Sequence, residues 1–150
     1  EEKYRVDDAV AAVKAALAEG IVPGGGVTLV NLADGLDGKG DEEFVAGHKL
    51  LKRALEQPFR ILMENSGLNA DEWLPQVRKA KAGQGVNVQK PTKLVDMKQA
   101  GVVDPARVTK QALQNAVSIA GTAMTMGALV VEVPEHKPSA PEGGAGMMGM

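Results

Sequence analysis

No charged side chain interrupts residues 111–131, a stretch long enough to cross a bilayer. Its polar content points elsewhere. Gln111, Gln114, Asn115, Ser118, Thr122 and Thr125 recur along it. Set about 100° apart per residue, they fall within one stripe less than half the helix circumference wide. A lipid-facing helix has no use for such a stripe, whereas a helix at the centre of a bundle does. The run therefore predicts a buried helix in a soluble bundle, with no membrane partner. The sparse aromatics agree: Tyr4, Phe44, Phe59 and Trp73 make up 3 % of the chain. A core filled by Ala, Val, Leu and Met at a length of 150 residues reads as helix on helix in one domain.

Other periodic segments extend that picture. Val6, Val10, Val13 and Leu17 share one face of a first helix that Gly20 stops. Pro23-Gly24-Gly25-Gly26 then forms a flexible break before a helical stretch over 27–36, followed by a loop over 37–41. A long helix is expected over 42–65, with Phe44, Val45, Leu51, Leu55, Phe59 and Leu62 on its core side. Pro58 predicts a kink or break in it near Gln57. Asn69, with Glu72 three residues on, matches a capping box opening a short helix through Trp73 and Val77. Over 82–95, Gly83, Gly85 and the valines read as two short strands round a turn at Lys90-Pro91. One or two helical turns from Asp96 end at Gly101. Asp104-Pro105 has the chemistry of a helix start, an Asp cap with Pro at the first helical position, for a helix reaching about residue 130. Val131-Glu132-Val133 alternates like a strand, and from 137 onward Pro, Ser, Gly and Met predict an unfolded tail. The expected fold is mainly α, a helical bundle whose short β pieces lie against the helices or another chain.

The chemistry-bearing features are weak one at a time. Seventeen basic against nineteen acidic side chains, a formal charge of -2, give no electrostatic reason for a nucleic-acid partner. With no cysteine and two histidines, disulfides, thiolate metal sites and histidine-rich zinc sites are excluded. Asp8 lies about 200° from Val6 on the helical wheel, where a solvated carboxylate near a helix N-terminus is the simple reading. A lone carboxylate polarises a water or holds magnesium only with partners the local sequence does not show. Gly24-Gly25-Gly26 before a helix suits a phosphate on open amides, and suits a turn or close packing equally well. Asn87 can read a base edge or cap its own turn, the turn being the simpler role. Capping accounts for Asp104 fully, although a cap at a cleft mouth can also accept ribose hydroxyls. His48 reads as a satisfied residue at the edge of the core.

Together these features line up with one family. Arg5-Val6-Asp7-Asp8-Ala9, the run from Glu19 through Pro23-Gly24-Gly25-Gly26-Val27, the run Gly101-Val102-Val103-Asp104-Pro105 with Val108-Thr109, and the Gly/Met-rich end resemble the C-terminal part of a bacterial group I chaperonin, the GroEL type. The resemblance covers essentially the whole chain in order. It implies a bundle of the chaperonin equatorial-domain type and an ATP-driven, cytoplasmic machine that encapsulates non-native polypeptides. Its partners would be identical subunits in two stacked seven-membered rings and a co-chaperonin lid. Residues 1–23 would end the intermediate hinge domain, 24–136 would be the second half of the equatorial ATP-binding domain, and 137–150 the disordered tail. The first residues, Glu1-Glu2-Lys3-Tyr4, contain no initiator methionine and no basic-then-apolar signal segment, so the sequence reads as mature, trimmed or cut from something longer.

Roles follow from the resemblance residue by residue. Asp8 would orient or activate the attacking water, and would be a magnesium ligand completed by groups outside this stretch. Gly25 would contact ATP through its backbone, Asn87, Val88 and Gln89 would line the adenine, and Asp104 would hold the ribose. The family pattern at the third element is Asn-Ala-Ala, so Val88 and Gln89 are bulkier departures. The family's Gly-Asp-Gly-Thr-Thr phosphate loop and its magnesium aspartate occur nowhere in this sequence, nor does the apical domain. The resemblance thus implies half of an ATP site. The alternative is a non-enzymatic helical assembly module.

Overall fold

The computed structural model describes residues 2–36, 38–128, 130 and 131, and places five helices and four short strands among them. The helices are α1 (Glu2–Glu19), α2 (Val27–Asp34), α3 (Glu42–Asn65), α4 (Ala70–Lys79) and α5 (Ala106–Met124). The strands are β1 (Ile21–Pro23), β2 (Gln84–Val86), β3 (Leu94–Asp96) and β4 (Val103–Pro105). The domain is mainly helical, as the apolar periodicities predict.

The core gathers where α2, the second half of α3, α4 and the β2–β3 hairpin meet. Val27 and Val30 of α2, Phe59 and Met63 of α3, Leu74 and Val77 of α4, Val86 of β2 and Met97 form one buried cluster. Asp41 caps α3 by accepting the Phe44 N–H at 2.9 Å, and Asn69 caps α4 by accepting the Asp71 N–H at 2.9 Å. Glu56 is the buried charged residue of this region, and Arg78 of α4 reaches across to pair with it. The same guanidinium lies 3.9 Å from Asp34 at the end of α2, so one side chain ties three helices together.

Of the kink or break expected near Gln57, there is no break: helix α3 runs on through Pro58. A proline removes one intrahelical N–H. Here the buried stripe of Leu55, Phe59 and Met63 spans it and holds both halves against the core. The first half of α3 is less buried than predicted, with Phe44 about half exposed beside His48, whose Nδ1 lies 3.2 Å from the Phe44 carbonyl.

The short strands form two separate antiparallel pairs. Strand β2 pairs with β3, the expected hairpin, in the register Gln84↔Asp96 to Val86↔Leu94. The second pair was not foreseen: β1 joins β4 with Ile21↔Pro105, Val22↔Asp104 and Pro23↔Val103. This clasp corrects the reading of Asp104 as a helix cap. Asp104 is a strand residue, the cap position falls on Pro105, and no side chain caps α5. The Ala106 N–H instead donates to the Gly20 carbonyl at 3.0 Å, because β1 brings an acceptor to the helix start.

Helices α1 and α5 leave this clasp together and touch each other, with Lys110 paired to Glu19. The burial expected for the uncharged run is not present in this chain. No residue of α5 is buried, and the helix ends at Met124. Its polar side chains serve the helix itself: the Thr122 hydroxyl donates to the Ser118 carbonyl at 3.1 Å, and Thr125 to Thr122 at 2.8 Å. The predicted strand at 131–133 lies outside the described residues apart from Val131, which has no regular structure, and the predicted tail over 137–150 lies outside them entirely.

Candidate functional site

The glycine run is packed, not loose, and each glycine has its own reason to lack a side chain. A Cβ on Gly24 would stand 3.1 Å from the backbone of Val102 and Val103, and the Gly24 N–H donates to the Val102 carbonyl at 2.9 Å. Gly25 (φ +68°) would bring a Cβ to 3.0 Å from the Met97 Cε. Gly26 (φ +76°) would bring one to 2.8 Å from the Phe59 backbone nitrogen. The left-handed φ at these last two positions disfavours any other residue. Among the described residues, the Gly25 and Gly26 N–H groups have no acceptor within the chain. They sit at the start of α2, half-exposed, where amides suit an anion.

The loop and Asp104 stand on adjoining elements. Val22, two residues before Gly24, faces Asp104 across the clasp. Asp104 is half-buried, and burial raises its carboxyl above the ordinary value. Among the described residues no cation pairs with it and no donor bonds it. A carboxylate so placed is free to accept hydrogen bonds from hydroxyls.

Asn87 follows β2, and its Oδ1 accepts the Gln89 N–H at 3.0 Å. That is the turn role the sequence favoured, and it leaves the amide NH₂ uncommitted. Val88 and Gln89 are exposed at the hairpin tip. The hairpin is held to the glycine loop through Met97: its N–H donates to Gly83 at 3.1 Å and its carbonyl accepts from Val102 at 2.8 Å. Asp8 is not brought to this cluster. It is exposed on α1, 12 residues before Gly20. At 1.5 Å per residue that is roughly 18 Å along the helix axis.

Sequence reasoning missed three residues that assemble the region. Met97 is buried, Asn31 accepts the Gly83 N–H at 3.0 Å, and the Thr28 hydroxyl donates to the Pro23 carbonyl at 2.7 Å. Only the alternation of Val95 and Met97 along one face could have flagged the methionine. An open cleft of about 420 Å³ lies beside β1, lined by Thr28, Asn31, Gly83, Asp96 and Lys98 among others. None of Asp8, Gly25, Asn87, Val88, Gln89 or Asp104 lines it. No described helix is long and apolar enough to cross a membrane.

The region thus offers free amides that suit an anion, a carboxylate that suits hydroxyls, and a hairpin with an open amide group. They do not by themselves fit a magnesium ion, since no group of three or more His, Asp or Glu side chains gathers among the described residues. Asp8 would be a single ligand.

A mainly helical domain in which a glycine loop is clasped to an Asp-Pro strand defines a recognisable class. The chain belongs to the TCP-1/cpn60 chaperonin family, which it matches over residues 1–134. Among solved structures it is similar to a group III chaperonin in the open state, with a TM-score of 0.69 and 30 % identity. That match covers 77 % of this chain and 25 % of the other, so the chain spans about a quarter of the length of its structural relative.

The family expectation therefore holds, and the narrower one is corrected. The group I assignment, and with it the stacked seven-membered rings and the separate co-chaperonin lid, gives way to the group III match. The physical reason lies in the motifs that carried it. Gly24, Gly25, Gly26 and Asp104 meet backbone packing and strand pairing, demands of the fold that do not distinguish one subgroup from another.

Proposed function

We propose that this chain is the part of an ATP-driven, cytoplasmic chaperonin subunit that supplies one wall of the nucleotide site and contacts within an oligomer of identical subunits acting on non-native polypeptides. The observation that carries this reading is the clasp, which pairs Val22 with Asp104 and seats Gly24 on Val102, so that the free Gly25 and Gly26 amides and the unpaired Asp104 carboxylate stand on adjoining elements. ATP and Mg²⁺ are the cofactors. Gly25 offers its backbone to the nucleotide, Asp104 accepts from the ribose, and Asn87, Val88 and Gln89 line the base. In this reading residues 1–23 belong to a hinge and 24–136 to the nucleotide-binding domain.

Asp8 is the catalytic carboxylate. Its place on α1, remote from the glycine loop, suits a group that reaches the attacking water only when the hinge closes. Magnesium, when bound, would screen the phosphate charge. Its remaining ligands and the phosphate loop would come from outside this stretch. In a complete subunit, Asp8→Ala should lower ATP turnover on the order of a hundredfold while ADP binding holds. A matching loss of nucleotide affinity, or unchanged turnover, would remove this role.

One observation favours a second reading, a non-enzymatic assembly module: α1 and α5 turn unburied apolar faces outward. A complete subunit that forms oligomers yet binds no ADP would establish that reading instead.

A further inference from the structure

We infer that Met97 is a positioning residue for the nucleotide, the strut that sets the glycine loop, the hairpin and the Asp104 strand at one fixed spacing. The inference rests on the nucleotide reading above. Met97 is 1 % exposed and occupies the point where the three elements meet. Its Cε lies 3.0 Å from where a Cβ of Gly25 would stand, so the thioether end fills the space directly behind that left-handed residue. Its Cγ and Sδ lie 3.1 Å from the corresponding point on Gly85, in the hairpin that carries Asn87.

The backbone repeats the connection. Met97 donates to Gly83 and accepts from Val102, Val102 accepts from Gly24, and Val103 is paired with Pro23 next to the Asp104–Val22 pair. The side chain thus lies against Gly25 and Gly85, and the Met97 main chain carries the link on to Val102 and the Asp104 strand. An unbranched thioether suits the task, because together with a Val27 methyl beside Gly85 it fills the irregular gap that two missing side chains leave. Shortening it would let the Gly25 loop and the hairpin settle toward each other, and misplaced amides bind less well even where the fold survives.

The test uses the complete subunit, with ADP as the probe and ATP turnover as the second readout. Met97→Ala should weaken ADP binding and raise KM roughly tenfold with kcat nearly unchanged, since Asp8 is untouched. Met97→Leu, which conserves volume, should restore binding to within about twofold. Met63→Ala opens a comparable hole in the same core without touching either glycine, and should leave ADP affinity as it was. If Met97→Ala does not fold, Met97→Val carries the same comparison with a smaller deletion. Unchanged affinity in the Met97 variants, or an equal loss from Met63→Ala, overturns the inference. A wild-type subunit that fails to bind ADP overturns the nucleotide reading itself and is recognised before any variant is made.

Discussion

The two halves of this molecule solve the hydrophobic problem differently. In α2, the second half of α3 and α4, apolar stripes converge, and Val27, Val30, Phe59 and Val77 are wholly enclosed. In α1 and α5 apolar residues also recur at helical spacing, yet Val10 is 46 % exposed, Ile119 70 % and Leu17 83 %. Both regions are helices, and both carry the spacing that marks a buried face. The difference teaches that periodicity reports a face designed for a partner, and not whether the partner lies within the same stretch of chain.

The largest effect that would test this contrast comes from paired truncations. Phe59→Ala should cost about 3–5 kcal/mol in urea unfolding, the usual penalty for emptying an enclosed aromatic site. Ile119→Ala should stay within about 0.5 kcal/mol in this chain. Comparable losses would mean that α5 is packed after all. Gly26→Ala should cost about 2 kcal/mol or more, since it combines a left-handed backbone with a Cβ pressed on Phe59. A melting temperature equal to wild type would show that the α2–α3 crossing can yield.

Smaller effects sharpen the comparison at the helix starts. Asn69→Ala should cost about 1 kcal/mol, because α4 has a side-chain cap. Asp104→Asn removes no cap, so calorimetry should find no comparable loss. Its pH dependence carries the smallest signal. Burial raises the folded carboxyl above its unfolded value, so the stability linked to its proton is full at low pH and declines as pH rises through the folded value. At neutral pH the asparagine variant should therefore be slightly more stable than wild type. That advantage should vanish as the pH falls below the ordinary carboxylate range. An advantage that grows with acid would reverse the sign.

Much of the fold was legible because its signals are local. The limits of α3 follow from Asp41 and the apolar repeat, the start of α4 from Asn69, and the hairpin from valines flanked by turn residues. Pro58 does not break α3 because its penalty is also local, one absent N–H, whereas the packing that outweighs it comes from other helices. Asp104-Pro105 misled for the converse reason. The dipeptide has every property of a helix start, but a strand 80 or so residues earlier supplies the acceptor first.

The candidate site divides along the same line. Residue types flagged the glycine run, Asn87 and Asp104 only as weak candidates with simpler turn or cap roles, and it was the family resemblance that singled out Gly25 and gave the three their ligand roles. Their gathering was not written locally. It depends on Gly24 lying against Val102, on Val22 facing Asp104 and on Met97 standing between Gly25 and Gly85. By itself the sequence determined which long segments are helical and where most of them begin, whereas the helical turns expected after Asp96 are plain turns in the structure. Only the tertiary structure decided that the glycine run is a packed clasp and that α1 and α5 leave their apolar faces open. Those outcomes depend on contacts between residues distant along the chain, and such contacts leave no periodicity to read.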